Sequence, residues 1–173
     1  IILGFILVTG SLSAWITNTA TTLLILPIAI AVISQIDVTQ KKRFAPCLIL
    51  SVAYAASLGG MSTLIGTAPN ALFASLGESL ADVEIIFFDW MLVGVPLSAV
   101  SLFVLWIYMT TAARLDNQNP VLKSRNIITV ELRKLGNWSR NEKIVLVIFV
   151  ATAIAWVTRG LFWKDLAPFV GRS

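Results

Sequence analysis

The sequence predicts an all-α integral membrane protein. Apolar residues make up 57% of the chain and charged residues only 13%, and the mean hydropathy is +0.86. A soluble domain of this size needs far more charge to cover its surface. The charges are also segregated, because four long stretches carry none. These stretches are Ile1–Ile36, Phe44–Gly77, Trp90–Ala113 and Ile144–Thr158.

The first stretch, Ile1–Ile36, is predicted to form a re-entrant hairpin. Its polar segment, Ser13–Thr22, holds one amide and five hydroxyls near the middle of the stretch. At 1.5 Å per residue each arm reaches roughly 24 Å, which is less than the roughly 30 Å hydrocarbon core of a bilayer. Polar groups at that depth are costly unless they are paired or functional, so this segment is a candidate binding site.

The second stretch, Phe44–Gly77, is predicted to be a discontinuous transmembrane helix. The pair Gly59-Gly60 and the segment Gly66-Thr-Ala-Pro-Asn70 interrupt it. Glycine pairs and proline break helices, and broken helices inside membranes line sites. The two glycines have an alternative role, which is to allow close contact between helices.

The two later stretches are predicted to be single spans. Trp90–Ala113 has a suitable length, with Trp90 as an interfacial anchor and Pro96 as a kink. The last helix is expected to begin near Arg140, because Ser139-Arg-Asn-Glu142 has the pattern of a capping box. It reaches spanning length at about Arg159.

The charges between the stretches predict the topology. Asp37–Arg43 and Arg114–Lys143 are basic, whereas Glu78–Asp89 carries four acids and no Lys or Arg. By the positive-inside rule these segments lie inside, inside and outside, respectively, so the hairpin enters and leaves from the cytoplasmic side. Within the basic connector, Ile128–Leu135 is interpreted as a short amphipathic helix on the inner membrane surface, with a disordered linker as the alternative.

Two helix starts are predicted to meet at mid-membrane. Asn18 and Thr19 are candidate N-caps of the second hairpin arm, and Thr67 or Ala68 would cap a helix that restarts with Pro69 in its first turn. The free N–H groups and the positive dipole ends of two helix starts favour an anion.

Neutral oxygen ligands for a hard cation lie beside these helix starts. The hydroxyls of Ser13 and Thr17, the amide oxygen of Asn18 and carbonyls freed near Gly66 are predicted to surround Na⁺. Other hydroxyls have a simpler interpretation as backbone-bonded or helix-packing groups. That interpretation is favoured for Ser11, Thr21 and Thr22, and both stay open for Ser57, Ser62 and Thr63.

What the sequence lacks excludes several functions. The four stretches contain no Asp, Glu, Lys, Arg or His, which favours Na⁺ coupling or uncoupled exchange over proton coupling. No nucleophile–base pair, metal-ligand cluster or phosphate loop indicates an enzyme. The net charge of +4 is interpreted as a topology signal and not as nucleic-acid binding. Because the chain begins with Ile and no basic segment precedes its first apolar run, we expect it to be part of a longer protein.

At two of these segments the chain resembles the divalent anion/sodium symporter family, which carries dicarboxylates, tricarboxylates or sulfate. Thr17-Asn18-Thr19 is similar to the family's Ser-Asn-Thr signature, and Gly66-Thr-Ala-Pro-Asn70 is similar to its Gly-Thr-Pro-Pro-Asn signature. The run Asp89-Trp-Met-Leu-Val-Gly-Val-Pro96 and the pair Glu142-Lys143 also look familial, so the resemblance covers essentially the whole chain. Thr17 and Ala68 depart from the signatures.

The resemblance implies an elevator-type, homodimeric transporter built from two inverted repeats, each with a re-entrant hairpin and a broken helix. It implies a multi-pass protein of the plasma (inner) membrane. Residues 1–113 would be half of a transport domain, with the hairpin at 1–36, the broken helix at 44–77 and a helix at 90–113. Residues 114–139 would be a cytoplasmic connector and 140–173 would contain the first scaffold helix of the second repeat.

The family's site residues map onto both signatures. Ser13, Thr17, Asn18 and Gly66 would line a sodium site. Asn18 and Thr19 would contact the substrate carboxylate, with Thr67 and Asn70 as supports. The resemblance therefore implies part of a secondary transporter that imports a small divalent anion with Na⁺, whose partners are that anion, lipid and the remainder of the transporter.

Other readings of the sequence stay open. One is an anion exchanger or an arsenite-type carrier of the wider ion-transporter group. A channel or a structural membrane subunit is a different class, and the paired helix breaks argue against both because neutral ligands at such breaks suit an occluded site.

Overall fold

The computed structural model describes residues 1–34, 36, 38–112 and 139–166. Within these ranges every regular element is an α-helix, as the sequence predicts. Nearly all of the predicted connector at 114–139, including its amphipathic helix, lies outside the described residues. The described helices are α1 (Ile2–Ser13), α2 (Asn18–Ser34), α3 (Val38–Gly60), α4 (Ala68–Ala81), α5 (Phe87–Ala112) and α6 (Arg140–Leu166).

Three of the described helices are long and apolar enough to cross a membrane. They are α3, α5 and α6, over Lys41–Gly60, Phe87–Thr111 and Arg140–Thr158. The two helices of the first stretch are shorter, with 12 residues in α1 and 17 in α2. They therefore extend roughly 18 and 26 Å, less than the hydrocarbon core of about 30 Å.

The helices α1 and α2 are two antiparallel arms joined by residues 14–17. At the joined end, Ser13 Oγ donates a hydrogen bond to Asn18 Oδ1 at 2.8 Å. At the other end, Ile2 of α1 and Ile33 of α2 belong to one hydrophobic cluster, together with Phe44 of α3. The chain therefore doubles back on itself within the first stretch.

Each arm buries one face and leaves the other apolar and exposed. The buried positions recur every three or four residues, as expected of one face of a helix. They include Ile2, Ile6 and Ser13 on α1 and Ile25, Ala29 and Ile33 on α2. The exposed positions are also apolar, for example Leu7, Val8, Leu23, Leu24 and Ile28. A helix that is apolar all round is typical of a membrane environment.

Helices α1 and α3 cross with their backbones in close contact. A Cβ atom added at Gly59 would overlap the backbone of Gly10, and one added at Gly10 would lie 2.7 Å from Leu102 Cδ1. Small residues permit such close approach, which is a main source of helix association in membranes. The role of Gly59 is therefore helix packing, one of the two alternatives that the sequence leaves open.

Helix α5 runs antiparallel to α3 along its whole length. Ser98 Oγ donates to the Leu58 carbonyl at 2.7 Å, and at the opposite end Cys47 donates to the Met109 carbonyl. The indole N–H of Trp90 donates to the Met61 carbonyl at 3.0 Å. Trp90 thus satisfies a carbonyl where α3 ends, a contact beyond the interfacial anchoring expected from the sequence.

The break between α3 and α4 lies beside the first two turns of α5. A Cβ atom added at Gly94 would lie 2.8 Å from the Ser62 carbonyl oxygen. By helical rise, Gly94 is roughly 10 Å from the start of α5 and roughly 27 Å from its end. The break therefore lies beside the half of α5 that is nearer the acidic loop.

Helix α6 begins with the predicted capping box. The backbone N–H of Ser139 donates to Glu142 Oε2 at 2.8 Å, and the backbone N–H of Glu142 donates to Ser139 Oγ at 3.2 Å. Farther along α6, Phe149 packs edge-on against Trp15 at the joined end of the hairpin arms, with ring centroids 6.1 Å apart. This aromatic contact joins the hairpin to α6.

The crossing of α1 and α3 can be tested with two glycine substitutions. Gly59→Ala is expected to destabilise the protein by about 1–3 kcal/mol, because the new methyl group meets backbone atoms of Gly10 that cannot rotate away. Gly4→Ala is the matched control, since nothing lies within 4 Å of a Cβ atom at that position of α1. Thermal unfolding in detergent measures both, and equal midpoints for the two variants would contradict the packing assignment.

Candidate functional site

The turn between the hairpin arms and the break between α3 and α4 touch each other. Ser13 Oγ lies 2.6 Å from the Ala56 carbonyl oxygen. The hydroxyl of Thr63 donates to the Ala14 carbonyl, and it accepts the backbone N–H of Gly66 at 3.1 Å. These contacts join residues about 45 positions apart in sequence, so the two polar segments form one region.

Three oxygens meet at Ser13 with a single proton among them. Ser13 is fully buried, and its Oγ lies 2.8 Å from Asn18 Oδ1 and 2.6 Å from the carbonyl oxygen of Ala56. A serine hydroxyl carries one donor, whereas the amide oxygen and the carbonyl only accept. The surplus of acceptors favours a cation at this point, and neutral oxygens are the ligands that a hard cation prefers.

Two glycines let backbone carbonyls approach this oxygen cluster. A Cβ atom added at Gly60 would overlap Asn18 Oδ1. One added at Gly66 would meet Gly60 and would lie 2.9 Å from the Ser13 carbonyl oxygen. Gly60 therefore gives the Asn18 amide access to the end of α3, and its role differs from that of Gly59.

The start of α4 is held by Asn70. Its amide nitrogen donates to the Gly60 carbonyl at 3.0 Å and to the Thr63 carbonyl at 2.8 Å, and its side chain is buried. Thr67 is the N-cap, as the sequence predicts, with extended backbone angles of −146° and 144° and no hydrogen bond from its side chain to the helix. Pro69 lies in the first turn of α4, also as predicted.

The structure brings together three of the four residues predicted to bind sodium. Ser13, Asn18 and Gly66 lie in the oxygen cluster. Thr17 is exposed, and its hydroxyl accepts the Ala20 backbone N–H at a long 3.5 Å. Thr17 is thus the N-cap of α2, and the prediction that Asn18 or Thr19 caps this helix is wrong, because Asn18 is already its first helical residue.

The residues predicted to bind substrate occupy different environments. Asn18 is half-buried in the oxygen cluster, and Thr19 is exposed in the first turn of α2. Thr67 is half-buried at the start of α4, and both amide protons of Asn70 are used by backbone carbonyls. Asn18, Thr19 and Thr67 are therefore placed at or beside helix starts, whereas Asn70 holds the backbone of the break.

The sequence alone leaves Gly60 and Thr63 open between packing and function, and it does not mark the Ala56 carbonyl. The structure shows that Thr63 joins the break to the hairpin. Its position three residues after Gly60 was the available signal. Nothing in the sequence marks the Ala56 carbonyl, because an alanine in a helix gives no indication of which carbonyl faces a neighbouring hydroxyl.

The two segments that form this region are uncharged. Neither Ile1–Ile36 nor Phe44–Gly77 carries a charged side chain. Among the described residues no group of three or more His, Cys, Asp or Glu side chains could hold a metal ion. A cation here would be balanced by another ligand and not by a carboxylate of these segments.

Comparison with known proteins agrees with this chemistry. A family model described as a citrate transporter matches residues 1–171. The chain is 33% identical to the sodium-dependent dicarboxylate transporters SdcS of Staphylococcus saprophyticus and of Staphylococcus aureus strains USA300 and NCTC 8325. Each match covers 95% of this chain and 33% of the relative, so the chain spans about a third of the length of these curated relatives.

The role of Asn70 in the break can be tested by removing its amide. Asn70→Ala is expected to destabilise the protein by about 1–3 kcal/mol, because it leaves two buried carbonyls without their donor. Thr67→Ala is the matched control, since the Thr67 side chain makes no capping hydrogen bond and its loss leaves the helix start intact. Thermal unfolding of the purified variants measures the difference, and an unfolding midpoint for Asn70→Ala as high as that of Thr67→Ala would contradict this role.

Proposed function

The chain belongs to the citrate transporter family, and from this we propose that it is part of a secondary active transporter that imports a small divalent anion with Na⁺. Membership of a transporter family confirms the family resemblance drawn from the sequence and the prediction that the chain is not an enzyme. It also agrees with the membrane-spanning helices.

The observation that carries the proposal is the oxygen cluster at Ser13. Asn18 Oδ1 and the Ala56 carbonyl oxygen both lie within 2.8 Å of Ser13 Oγ. The serine hydroxyl supplies the one proton among these three oxygens. A bound Na⁺ would relieve the repulsion among these acceptors. Backbone carbonyls near Gly60 and Gly66 would be its further ligands. The relatives are named sodium-dependent, which supports Na⁺ as the cation.

Thr17 contributes differently from the other predicted sodium ligands. Its side chain is exposed and caps α2, so its effect on Na⁺ is to fix the start of the helix that carries Asn18. Because Thr17 is exposed, the methyl group that distinguishes threonine from serine is not expected to crowd the cation. The departure from the family signature at this position is therefore compatible with the site.

The anion would bind beside the cation at the starts of α2 and α4. The first backbone N–H groups of a helix lack a carbonyl one turn earlier and carry the positive end of its dipole, and at these two starts the Ala20 N–H bonds to Thr17 Oγ1 and the Asn70 N–H to the Thr67 carbonyl. Thr19 in the first turn of α2 and Thr67 at the start of α4 would donate their hydroxyls to a carboxylate. Asn18 would lie between the Na⁺ and the anion, whereas Asn70 supports the backbone around them.

Coupling follows from the neutrality of the region. An anion in a low-dielectric site without a charged side chain is unfavourable, and so is a cation. When both are bound next to each other, each lowers the free energy of the other. The transporter would then take up the anion only together with Na⁺, which allows a sodium gradient to drive import. Dicarboxylates are the first candidates, since the relatives carry that name, with tricarboxylates and sulfate as further candidates.

The larger architecture belongs to the same proposal. The short arms of α1 and α2 support a re-entrant hairpin at 1–36 that enters from the cytoplasmic side. Residues 1–113 would form half of a transport domain, 114–139 a cytoplasmic connector and 140–173 the first scaffold helix of a second inverted repeat. The full-length protein would be a multi-pass homodimer of the plasma (inner) membrane, in which the transport domain moves like an elevator against the scaffold.

A second candidate is an anion exchanger or an arsenite-type carrier of the same wider group. The observation that favours it is the pair of departures from the sodium-symporter signatures, Thr17 and Ala68. Such a carrier would use the same helix starts to hold its anion, but it would bind no coupling cation at Ser13. Dependence on Na⁺ therefore separates the two candidates.

Uptake into proteoliposomes tests the proposal directly. The full-length protein is reconstituted, and labelled succinate, citrate and sulfate are offered with an inward gradient of Na⁺ or of choline. Accumulation of one anion with Na⁺ alone is expected, because the neutral site needs the cation to hold the anion. Accumulation that is the same in choline would contradict Na⁺ coupling and would favour the exchanger.

The assignment of Asn18 can be tested within the same assay. Asn18→Ala removes an oxygen from the proposed sodium site and a donor from the anion site, so sodium-driven uptake is expected to fall by at least about tenfold, the equivalent of about 1.4 kcal/mol in binding. Thr17→Ser is the matched control, since it keeps the hydroxyl that caps α2 and should retain uptake. Near-normal uptake by Asn18→Ala, with the same Na⁺ concentration for half-maximal rate, would exclude Asn18 from both sites.

A further inference from the structure

Two buried hydroxyls in the hairpin have no hydrogen-bond partner among the described residues. Thr9 of α1 and Thr21 of α2 are both fully buried, and each Oγ1 lacks a partner. They are the only buried side-chain polar atoms of the described residues in this condition. A buried polar group without a partner is destabilising, and such groups are rare in native proteins.

The usual partner of a helical hydroxyl is available to both residues but is not used. Serine and threonine in helices commonly donate to the carbonyl one turn earlier. Thr22 does so with the Asn18 carbonyl at 2.8 Å, and Ser51 does so with the Cys47 carbonyl at 2.7 Å. Thr9 and Thr21 do not. Their hydroxyls are therefore turned away from their own helices.

The two hydroxyls belong to the same layer of the hairpin. Thr9 lies one helical turn before Ser13, and Thr21 lies one turn after Asn18. Ser13 and Asn18 are hydrogen-bonded to each other at 2.8 Å, and the two arms run antiparallel from that point. One turn along each arm from the Ser13–Asn18 pair therefore leads to Thr9 on one side and Thr21 on the other.

The faces of α1 indicate the direction in which Thr9 points. Gly10 faces α5 and α3, because its nearest neighbours are Leu102 and the Ala55 carbonyl. Thr9 is rotated by about 100° from Gly10 around the helix axis. Viewed down the helix, Ser13 lies between these two directions, and it contacts both Ala56 and Asn18. Thr9 therefore lies on the flank of the buried face that is turned from α5 toward α2.

We propose that Thr9 and Thr21 jointly hold one buried water molecule between the hairpin arms, directly beneath the Ser13–Asn18 pair. A water molecule accepts from one hydroxyl and donates to the other, and it needs only two to four polar partners. A hard cation is a poorer fit, since it takes about six oxygen ligands and the local carbonyls are engaged in helical bonds. One of these is the Thr17 carbonyl, which accepts the Thr21 backbone N–H at 3.0 Å.

This water would extend the polar region of the hairpin by one layer, away from the turn. It would hold the end of α1 and the start of α2 at a fixed spacing one turn away from the Ser13–Asn18 pair, because each arm supplies one hydrogen bond to the same water molecule. The inference concerns the structure of the hairpin and does not rest on the proposed transport function. It can therefore be tested by stability, whichever ions the protein carries.

A double-mutant cycle in the full-length protein tests the shared water. Thr9→Val, Thr21→Val and the double variant keep the shape of the side chains and remove one or both hydroxyls. Each single variant is expected to lower the thermal unfolding midpoint by about 1–2 °C, and the double variant should fall little further, because the shared water is lost only once. Thr9→Ser and Thr21→Ser keep the hydroxyls but lose a buried methyl group, so their midpoints are expected to fall while the coupling between the two positions persists.

Thr22→Val is the matched control on the same arm. The Thr22 hydroxyl bonds to its own helix, so its removal should leave the midpoint nearly unchanged. Neutral or stabilising effects of the Thr9 and Thr21 single variants would overturn the proposal, and so would fully additive losses in the double variant, since neither result allows a shared ligand.

Two further measurements identify the ligand as water. The cycle is repeated with Na⁺ replaced by choline, and the coupling between Thr9 and Thr21 is expected to persist. Coupling that disappears without Na⁺ would overturn the proposal in favour of a cation. In a cryo-EM map that resolves waters, a density peak at hydrogen-bond distance from both hydroxyls is expected, whereas a direct Oγ1–Oγ1 hydrogen bond would overturn it.

Discussion

The whole arrangement depends on one constraint, which is that backbone groups freed by a helix break inside a membrane must find partners within the protein. Two helix breaks, at residues 14–17 and 61–67, lie in the interior of the apolar stretches. Lipid offers these groups no hydrogen bonds, so side chains from neighbouring helices supply them. Trp90, Thr63 and Asn70 each bond a carbonyl at one of the two breaks. The breaks lie together because each helps to satisfy the other.

The same constraint explains how a neutral region can serve ions. Bonding the freed carbonyls to side chains uses up the available donors and leaves acceptors in excess around Ser13. The positive ends of the helix dipoles lie instead at the starts of α2 and α4. In the proposed function, acceptors on one side and helix starts on the other would place a cation and an anion next to each other. This arrangement needs no charged side chain, and neither segment contains one.

Close packing makes this geometry possible. Gly10 and Gly59 bring α1 and α3 into backbone contact, Gly60 admits the Asn18 amide to the end of α3, and Gly66 packs against Gly60. Within the membrane-spanning part of the described chain, the outward faces stay apolar, and no residue in the spanning segment of α6 is fully buried. Helix association therefore comes from small residues and shared hydrogen bonds rather than from the removal of apolar surface from water.

The sequence by itself determined the elements and their approximate limits. Hydropathy and charge fixed the membrane class, the capping box fixed the start of α6, and Gly60 and Pro69 bracketed the break before α4, because these signals act within one or two helical turns. It also identified Ser13, Asn18 and Gly66 as neighbours in a site. Only the tertiary structure decided which hydroxyl caps α2, that Gly59 packs while Gly60 admits Asn18, and that Thr63 and the Ala56 carbonyl take part. These depend on which face of a helix meets another helix, and in a chain that is apolar on every face the sequence pattern does not mark the buried side.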